Sequence, residues 1–213
     1  IAMMREDFEK MELLMEKRKN TLGDLKYSPV EHHLIPEAPI GYLYDKRHAK
    51  KGWQNTAKID IHPIDGVPDG WFLRKVQMVS ALVYYLSEYR LPVKNKGKKI
   101  RAVSKVILKI TPDPVFDFYM RVTKRIFTSW NKKESKDICS LFGVAGYRTE
   151  VMPRSYLLPL KESPFEGKTF LIPGDIHRYL QRLYGDYEKL PPKKDRFPRH
   201  EIYRMYQDRE KSI

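Results

Sequence analysis

The sequence has little cysteine and no long apolar run. Its single cysteine, Cys139, cannot form an internal disulfide, which favours a reducing compartment. No apolar stretch approaches the ~20 residues that are needed to span a bilayer. The opening residues, Ile1 and then Arg5, Glu6 and Asp7, do not form the pattern of a secretory leader. We therefore expect a cytoplasmic protein, and an initial isoleucine rather than methionine leads us to expect further sequence upstream.

Several common functional patterns are also missing. There is no internal repeat, no glycine-rich phosphate loop, no paired Cys/His spacing of a metal site and no clear Ser-His-Asp arrangement. The basic residues are scattered, and no RNA-binding aromatic motif accompanies them. We therefore expect no specific nucleic-acid partner.

What is present is a basic chain with enough apolar content for a core. The 213 residues are 41% hydrophobic and 32% charged, which suits one large domain or a domain with an appended subdomain. The net charge of +14 attracts anions such as nucleic acid, acidic lipid head groups or phosphorylated substrates. Composition alone does not separate these partners.

Hydrophobic periodicity predicts an α+β fold in which short strands alternate with long amphipathic helices. The predicted strands cover residues 1–4, 40–44, 58–64 and 167–173, and a first helix covers 5–19. Asp69 and Asp113 are predicted to cap two long middle helices, and Asp175 a short one near the end. Residues 102–110 are helix or strand.

The two long helices are predicted to be core elements. Apolar residues at spacings of three and four predict the buried faces, which comprise Phe72, Val76, Val79, Val83 and Leu86 in the first helix and Val115, Tyr119, Val122, Ile126 and Trp130 in the second. A buried stripe and a membrane-surface stripe look alike in sequence, so a membrane-surface role for one helix stays an alternative.

The most informative stretch is residues 58–66. Asp60 lies between two isoleucines, so in a strand Ile59 and Ile61 face one way and Asp60 the other. We expect Tyr42 on a neighbouring strand, and we expect Pro63 to begin the turn that ends this one. A carboxylate at a strand end can hold a divalent cation through hard oxygen ligands, and the alternative is that it caps the turn.

Three segments, in order along the chain, carry a family resemblance. They are Ile1-Ala-Met-Met-Arg5-Glu-Asp-Phe8, the block from Lys58 to Asp65, and the stretch from Ser163 in which a helix runs into Tyr184-Gly185-Asp186-Tyr187 and then Pro191-Pro192. These segments resemble the LicD family of phosphotransferases, relatives of fukutin within the nucleotidyltransferase-fold superfamily. The family's Asp-Asp-Asp-Ile-Asp motif would lie immediately before Ile1.

The resemblance implies a single LicD-like transferase domain over residues 1–213 that is partial at its N-terminus. Residues 70–143 would be its mainly helical part and 163–192 its C-terminal signature. The implied fold is a small mixed nucleotidyltransferase-like sheet packed by helices, without its first strands and its catalytic aspartate motif. We therefore expect this chain alone to be inactive.

The resemblance also implies an activity. Such an enzyme would use Mg²⁺ or Mn²⁺ to move a phosphorylated alcohol, such as phosphocholine, from a CDP-activated donor to a cell-surface or lipid-linked glycan, with possible peripheral association at the inner face of the membrane. In the superfamily, two acids on one strand and a third on a neighbouring strand bind the metal. The alternatives are another nucleotidyltransferase-fold enzyme, or a non-enzymatic basic domain that binds an anionic polymer.

Site residues follow from the matched segments. Asp60 is the predicted catalytic metal ligand, and Asp65 is a weaker metal candidate because turn chemistry before Gly66 also explains it. Substrate contacts are predicted for Arg5, which could instead be solvated, and for His62, which could instead only pack. They are also predicted for Tyr184, Gly185 and Asp186, and the alternative there is a helix C-cap packed by tyrosines.

Overall fold

One strand, β4 (Lys58–Val67), organises the fold by pairing with three others. The computed structural model describes residues 1–18, 21–28, 40–45, 58–90, 98–132, 135–143, 145–193 and 196. Strand β1 (Ala2–Met4) is parallel to β4, whereas β3 (Gly41–Asp45) and β5 (Asp137–Cys139) are antiparallel to it. Strands β2 (Leu25–Ser28) and β6 (Met152–Pro153) extend the two edges into a six-stranded mixed sheet. The register pairs Tyr42 with Asp60, which confirms that these residues lie on neighbouring strands.

Helices lie between several of the strands, and one follows the last strand. They are α1 (Arg5–Arg18), α2 (Trp71–Tyr89), α3 (Lys98–Ile110), α4 (Asp113–Thr128), α5 (Tyr147–Glu150), α6 (Arg154–Leu157) and α7 (Ile176–Tyr184). Strands β7 (Lys161–Phe165) and β8 (Lys168–Ile172) form a separate hairpin. The prediction of a small mixed sheet packed by helices is confirmed. The segment 102–110, predicted as helix or strand, is helical. Strands β2, β5, β6 and β7 were not predicted.

The prediction that Pro63 and the Asp65-Gly66 pair end the strand in a turn was wrong. Strand β4 continues to Val67 because its two halves pair with different neighbours: β3 pairs as far as Ile61, and β5 pairs from Asp65 onward. The backbone N–H of His62 donates to the carbonyl of Ile1, directly before β1. Because successive N–H groups of a strand point to opposite edges, an N–H at position 63 would point away from β1. Pro63 lies there between the two pairings, where its missing N–H costs no ladder hydrogen bond.

The sheet separates two apolar clusters. Ile61 packs with Phe8, Ala81, Tyr84 and Phe127, which come from α1, α2 and α4. Ile64 packs in a second cluster with Ile138, Met152 and Leu157, against which Tyr179 and Leu183 of α7 are also packed. Successive strand residues point to opposite faces, so Asp60 and His62 share the side of β4 that carries Ile64.

The predicted buried faces of α2 and α4 were only partly confirmed. Leu86 is buried, but Val79 is 52% exposed, and Val76, Val83, Val122 and Ile126 are only half-buried. The residues that face inward are Gln77, Ser80, Ala81, Tyr84 and Glu88 in α2, and Phe116, Thr123 and Phe127 in α4. Each observed face is rotated by about one residue from the predicted stripe, and in α2 it is largely polar.

Gln77 explains the rotated face of α2. Its fully buried side-chain amide donates to the carbonyl of Gly66 at 2.7 Å and to that of Phe127 at 3.0 Å. One side chain therefore joins α2 to β4 and to the end of α4. A buried amide with satisfied hydrogen bonds can face the core, whereas a hydrophobicity pattern assigns it to solvent.

Two of the three predicted helix caps were also misplaced. The N-cap of α2 is Gly70, with φ 81°, rather than Asp69, and the N-cap of α4 is Pro112. Asp113 instead begins α4 and forms an ion pair with Arg90, whose guanidinium lies 4.2 Å from the centre of the Phe116 ring. This contact joins the end of α2 to the start of α4.

The strand predicted at 167–173 and the short helix after it are confirmed as β8 and α7. Asp175 caps α7, because its Oδ1 accepts from the backbone N–H of Arg178 at 3.1 Å. Gly185, with φ 71°, follows the last residue of the helix, and its N–H donates to the carbonyl of Gln181. The predicted end of the first helix, at residue 19, lies outside the described residues.

The rotated face of α2 yields a stability prediction. Ala81→Asp places an unpaired charge in the core and should lower the free energy of unfolding by at least about 3 kcal/mol. Val79→Asp is the matched control on the predicted but exposed face, and it should change that energy by no more than about 0.5 kcal/mol. Urea denaturation measures both variants, and equal losses would show that the Val79 face is buried.

Candidate active site

Asp60 lies near the start of β4 and is partly buried. Tyr42, which is buried, is its partner across the antiparallel pair. The backbone nitrogen of Ile1 donates to the Asp60 carbonyl at 2.7 Å, so the segment that leads into β1 runs directly beside this residue. The predicted alternation around Asp60 is confirmed, but only Ile61 is buried, whereas Ile59 is exposed.

The Asp60 carboxylate is incompletely satisfied. Its Oδ1 atom is buried and has no hydrogen-bond partner among the residues that the structure describes. Buried carboxylate oxygens normally accept a hydrogen bond or bind a cation, because an unsatisfied one costs free energy of folding. An unsatisfied oxygen at this position therefore fits a ligand that the described residues do not supply.

His62 lies two residues further along the same side of the strand. Its side chain is partly buried, and burial lowers the pKa of the imidazole, while the nearby Asp60 carboxylate opposes that shift. The two side chains therefore form a pair in which a carboxylate lies near a histidine that favours its neutral form. A neutral imidazole can accept as well as donate a hydrogen bond.

Arg5 and Asp65 form a different kind of site. Both are buried, and the guanidinium binds the carboxylate through two contacts, Nε to Oδ1 at 2.8 Å and Nη2 to Oδ2 at 2.6 Å. Burial would lower the pKa of Arg5, but the charge and hydrogen bonds of Asp65 outweigh it and the pKa is raised. Arg5 is therefore not a solvated arginine at the start of a helix, and Asp65 is not a turn residue.

Asn131, which the sequence did not indicate, completes this network. Its side-chain nitrogen donates to Oδ1 of Asp65 at 2.7 Å, and its side-chain oxygen accepts from the backbone N–H of Gly66 at 2.6 Å. Gly66 is required for this close approach, because a Cβ atom there would lie 2.8 Å from the carbonyl oxygen of Trp130. Since Asn131 is 66 residues from Asp65, no local pattern indicates the contact.

The C-terminal candidates lie on the surface. Tyr184 and Asp186 are exposed, and Gly185 supplies the left-handed turn between them. The phenol of Tyr187 contacts Nδ1 of His177 at 2.9 Å, so this turn folds back onto α7. Because α7 packs against the cluster around Ile64, the turn follows a helix on the same side of the sheet as Asp60.

The described residues do not bring together three or more His, Cys, Asp or Glu side chains that could hold a metal ion. Of the predicted ligands, Asp65 already engages Arg5 and Asn131, whereas Asp60 retains an unsatisfied oxygen. A hard cation suits Asp60 by its chemistry, as one ligand of a larger set.

Comparison with known proteins provides a relative. Over 156 residues the chain is 25% identical to the lipopolysaccharide cholinephosphotransferase LicD of Haemophilus influenzae. The chain is related to the LicD family. The alignment covers 70% of this chain and 57% of that protein, so the chain matches a little over half of its relative's length.

Two further comparisons were negative. No protein-family model matches the chain, and no solved structure matches it. The relationship with LicD therefore rests on the sequence alignment and on the segments described above.

The Arg5–Asp65 pair yields a second prediction. Arg5→Met leaves a buried carboxylate without its main partner and should lower the free energy of unfolding by about 3–5 kcal/mol. The double variant Arg5→Met with Asp65→Asn should lose less than the sum of the two single losses, because both charges are then absent. Urea denaturation of all four proteins measures this coupling.

The exposed pair of Lys10 with Asp7 provides the matched control for this cycle. Lys10→Met removes an ion pair of the same charge type, also in α1, and should leave the urea midpoint unchanged. Strictly additive losses at Arg5 and Asp65 would contradict a structural ion pair.

Proposed function

We propose that this protein is a metal-dependent phosphotransferase. It would move a phosphorylated alcohol, such as phosphocholine, from a CDP-activated donor to a cell-surface or lipid-linked glycan. The relationship with a lipopolysaccharide cholinephosphotransferase carries this proposal and supports both the transferase class and a glycan acceptor. The nucleotidyltransferase-like character of the fold is part of the same proposal.

Asp60 is the proposed metal ligand. Its unsatisfied Oδ1 offers a hard oxygen, and β4 holds its backbone between β1 and β3. A bound Mg²⁺ or Mn²⁺ would neutralise phosphate oxygens and help to align an alcohol with the phosphorus. Asp65, which is bound on both oxygens by Arg5, is better suited to holding β4 in place.

The register of β1 supports this placement. Ala2 pairs with His62 and Met4 with Ile64, so any residue directly before Ile1 that continued β1 would lie beside Asp60. If the family's Asp-Asp-Asp-Ile-Asp motif stood there, strand alternation would turn its last aspartate, and the one two positions earlier, to the Asp60 side. Its isoleucine would point to the opposite side, towards the cluster around Ile61. Two neighbouring strands would then supply the acids.

Other residues are proposed to bind substrate. His62 lies beside Asp60 on the same side of β4, where it could contact the donor. Tyr184, Gly185 and Asp186 form an exposed turn after α7, which packs on that side of the sheet. The net charge of +14 favours an anionic donor, and we expect the protein on the cytoplasmic side of a membrane. No helix among the described residues is long and apolar enough to cross a bilayer.

Replacing Asp60 tests the proposed centre. In a form of the protein that carries the family's upstream aspartates, Asp60→Asn should lower the transferase rate by at least about 100-fold, because the amide lacks the charge that holds the metal. The melting temperature should not fall, because an oxygen without a donor contributes no hydrogen bond to stability. Choline transfer from CDP-choline and a thermal melt provide the two measurements.

Asp69→Asn is the matched control, since Asp69 is an exposed carboxylate beyond the end of the same strand. It should change neither rate nor melting temperature. Full activity of Asp60→Asn would exclude Asp60 as a metal ligand, and a large drop in melting temperature would assign it a structural role instead.

A binding experiment separates the transferase from a basic domain that binds nucleic acid. We expect CDP-choline with Mg²⁺ to bind saturably to the chain extended by the upstream aspartates. Asp60→Asn should lower the affinity for CDP-choline. Single-stranded RNA should bind only at low salt, through non-specific contacts with phosphates. Tight RNA binding at physiological salt, without saturation by CDP-choline, would favour the basic domain over the enzyme.

A further inference from the structure

Helix α3 (Lys98–Ile110) differs from the other helices in composition. Its thirteen residues include five basic side chains and no acidic one. Three of its apolar side chains are largely exposed: Val103 at 59%, Val106 at 58% and Ile110 at 70%. These side chains belong to none of the hydrophobic clusters formed by the described residues. No apolar cluster among the described residues therefore covers this strip.

The burial pattern shows how α3 is oriented. Ser104 is only 3% exposed, and Ile107 and Leu108 are half-buried, so this side of the helix faces the protein. The exposed valines and Ile110 recur at spacings of three and four and form one strip. Lys98, Arg101, Lys105 and Lys109 recur at spacings of three, four and four and form a second strip. Both strips lie on the solvent side.

We propose that α3 lies on an anionic lipid surface. The strip of Val103, Val106 and Ile110 would enter the boundary between head groups and acyl chains, and the basic strip would contact lipid phosphates. Short apolar side chains beside lysines suit this position, because a lysine stem can lie along the apolar boundary while its ammonium remains at the head groups. A cluster of four to eight basic residues is typical of segments that bind anionic lipids.

Charge and composition favour lipid over other partners. Nucleic-acid binding by a single strand relies on aromatic stacking, and α3 contains no aromatic residue. Phosphate contacts alone would not require an exposed apolar strip. A second copy of the chain would place five positive charges against five positive charges, which opposes association. An anionic membrane offers both an apolar boundary for the strip of Val103, Val106 and Ile110 and phosphates for the basic strip.

This inference goes beyond the proposed function and does not depend on it. Vesicle binding is measured without donor, acceptor or metal, so its failure would leave the transferase proposal untouched. If both hold, α3 would place the enzyme at the surface where a lipid-linked acceptor lies.

Vesicle flotation of the full chain tests the proposal. We expect binding to vesicles of equal parts phosphatidylcholine and phosphatidylglycerol, little binding to pure phosphatidylcholine, and weakening between 50 mM and 500 mM salt, about the range over which screening becomes strong. Lys105→Gln with Lys109→Gln should lower the partition coefficient roughly 25-fold, at about fivefold for each charge. Val106→Asp with Ile110→Asp should lower it by at least about tenfold.

Matched controls lie elsewhere on the surface. Lys168→Gln removes one exposed lysine of the β7–β8 hairpin, and Leu13→Asp places an acid at an exposed apolar site of α1. Both should bind vesicles as the parent chain does. All variants should keep the parent's melting temperature, because every altered side chain is exposed.

Three results would overturn the proposal. The first is no binding of the parent chain to the anionic vesicles at 50 mM salt. The second is equal loss of binding in the control and α3 variants, which would show a response to overall charge. The third is a concentration-dependent dimer, or tight binding of single-stranded RNA, that the α3 variants abolish while vesicle binding persists. In that case α3 would be an interface for another partner.

Discussion

The buried pair of Arg5 and Asp65 is the contact on which the sheet depends. It joins the first residue of α1 to the second half of β4, and Asn131 extends it to the segment after α4. Both side chains of the pair are almost fully buried. Removal of either charge would leave the other unpaired in a low-dielectric core, so the position of α1 against β4 is strongly specified.

This constraint determines where Asp60 lies. Asp65 is held on the side of β4 that faces α1, α2 and α4. Strand alternation therefore turns Asp60 to the other side, where α7 packs against the cluster that contains Ile64. Because α1 follows β1 directly, the same pair anchors the end of β1 beside β4, where Ala2 pairs with His62. The geometry of the candidate site therefore follows from an ion pair on the opposite face of the sheet.

Local patterns predicted the parts of the fold that local chemistry determines. The alternation around Asp60, its pairing with Tyr42 and the Asp175 cap are confirmed, since each depends on neighbouring residues or on one strand pair. The inner face of α2 was wrong because buried Gln77 bonds to carbonyls of Gly66 and Phe127, which only the folded chain brings close. Asp65 was misread for the same reason, because its partner is 60 residues away.

Two aspartates of one strand, five positions apart, thus have opposite environments. Asp65 is fully buried, and both of its oxygens are engaged, so its charge is compensated within the chain. Asp60 is partly buried, and one of its oxygens has no donor among the described residues. A carboxylate whose oxygens are both engaged contributes to the fold, whereas one that the described residues leave unsatisfied is available to a cation or a substrate. That difference, rather than the presence of acids in the stretch, is what separates the structural residue from the candidate catalytic one.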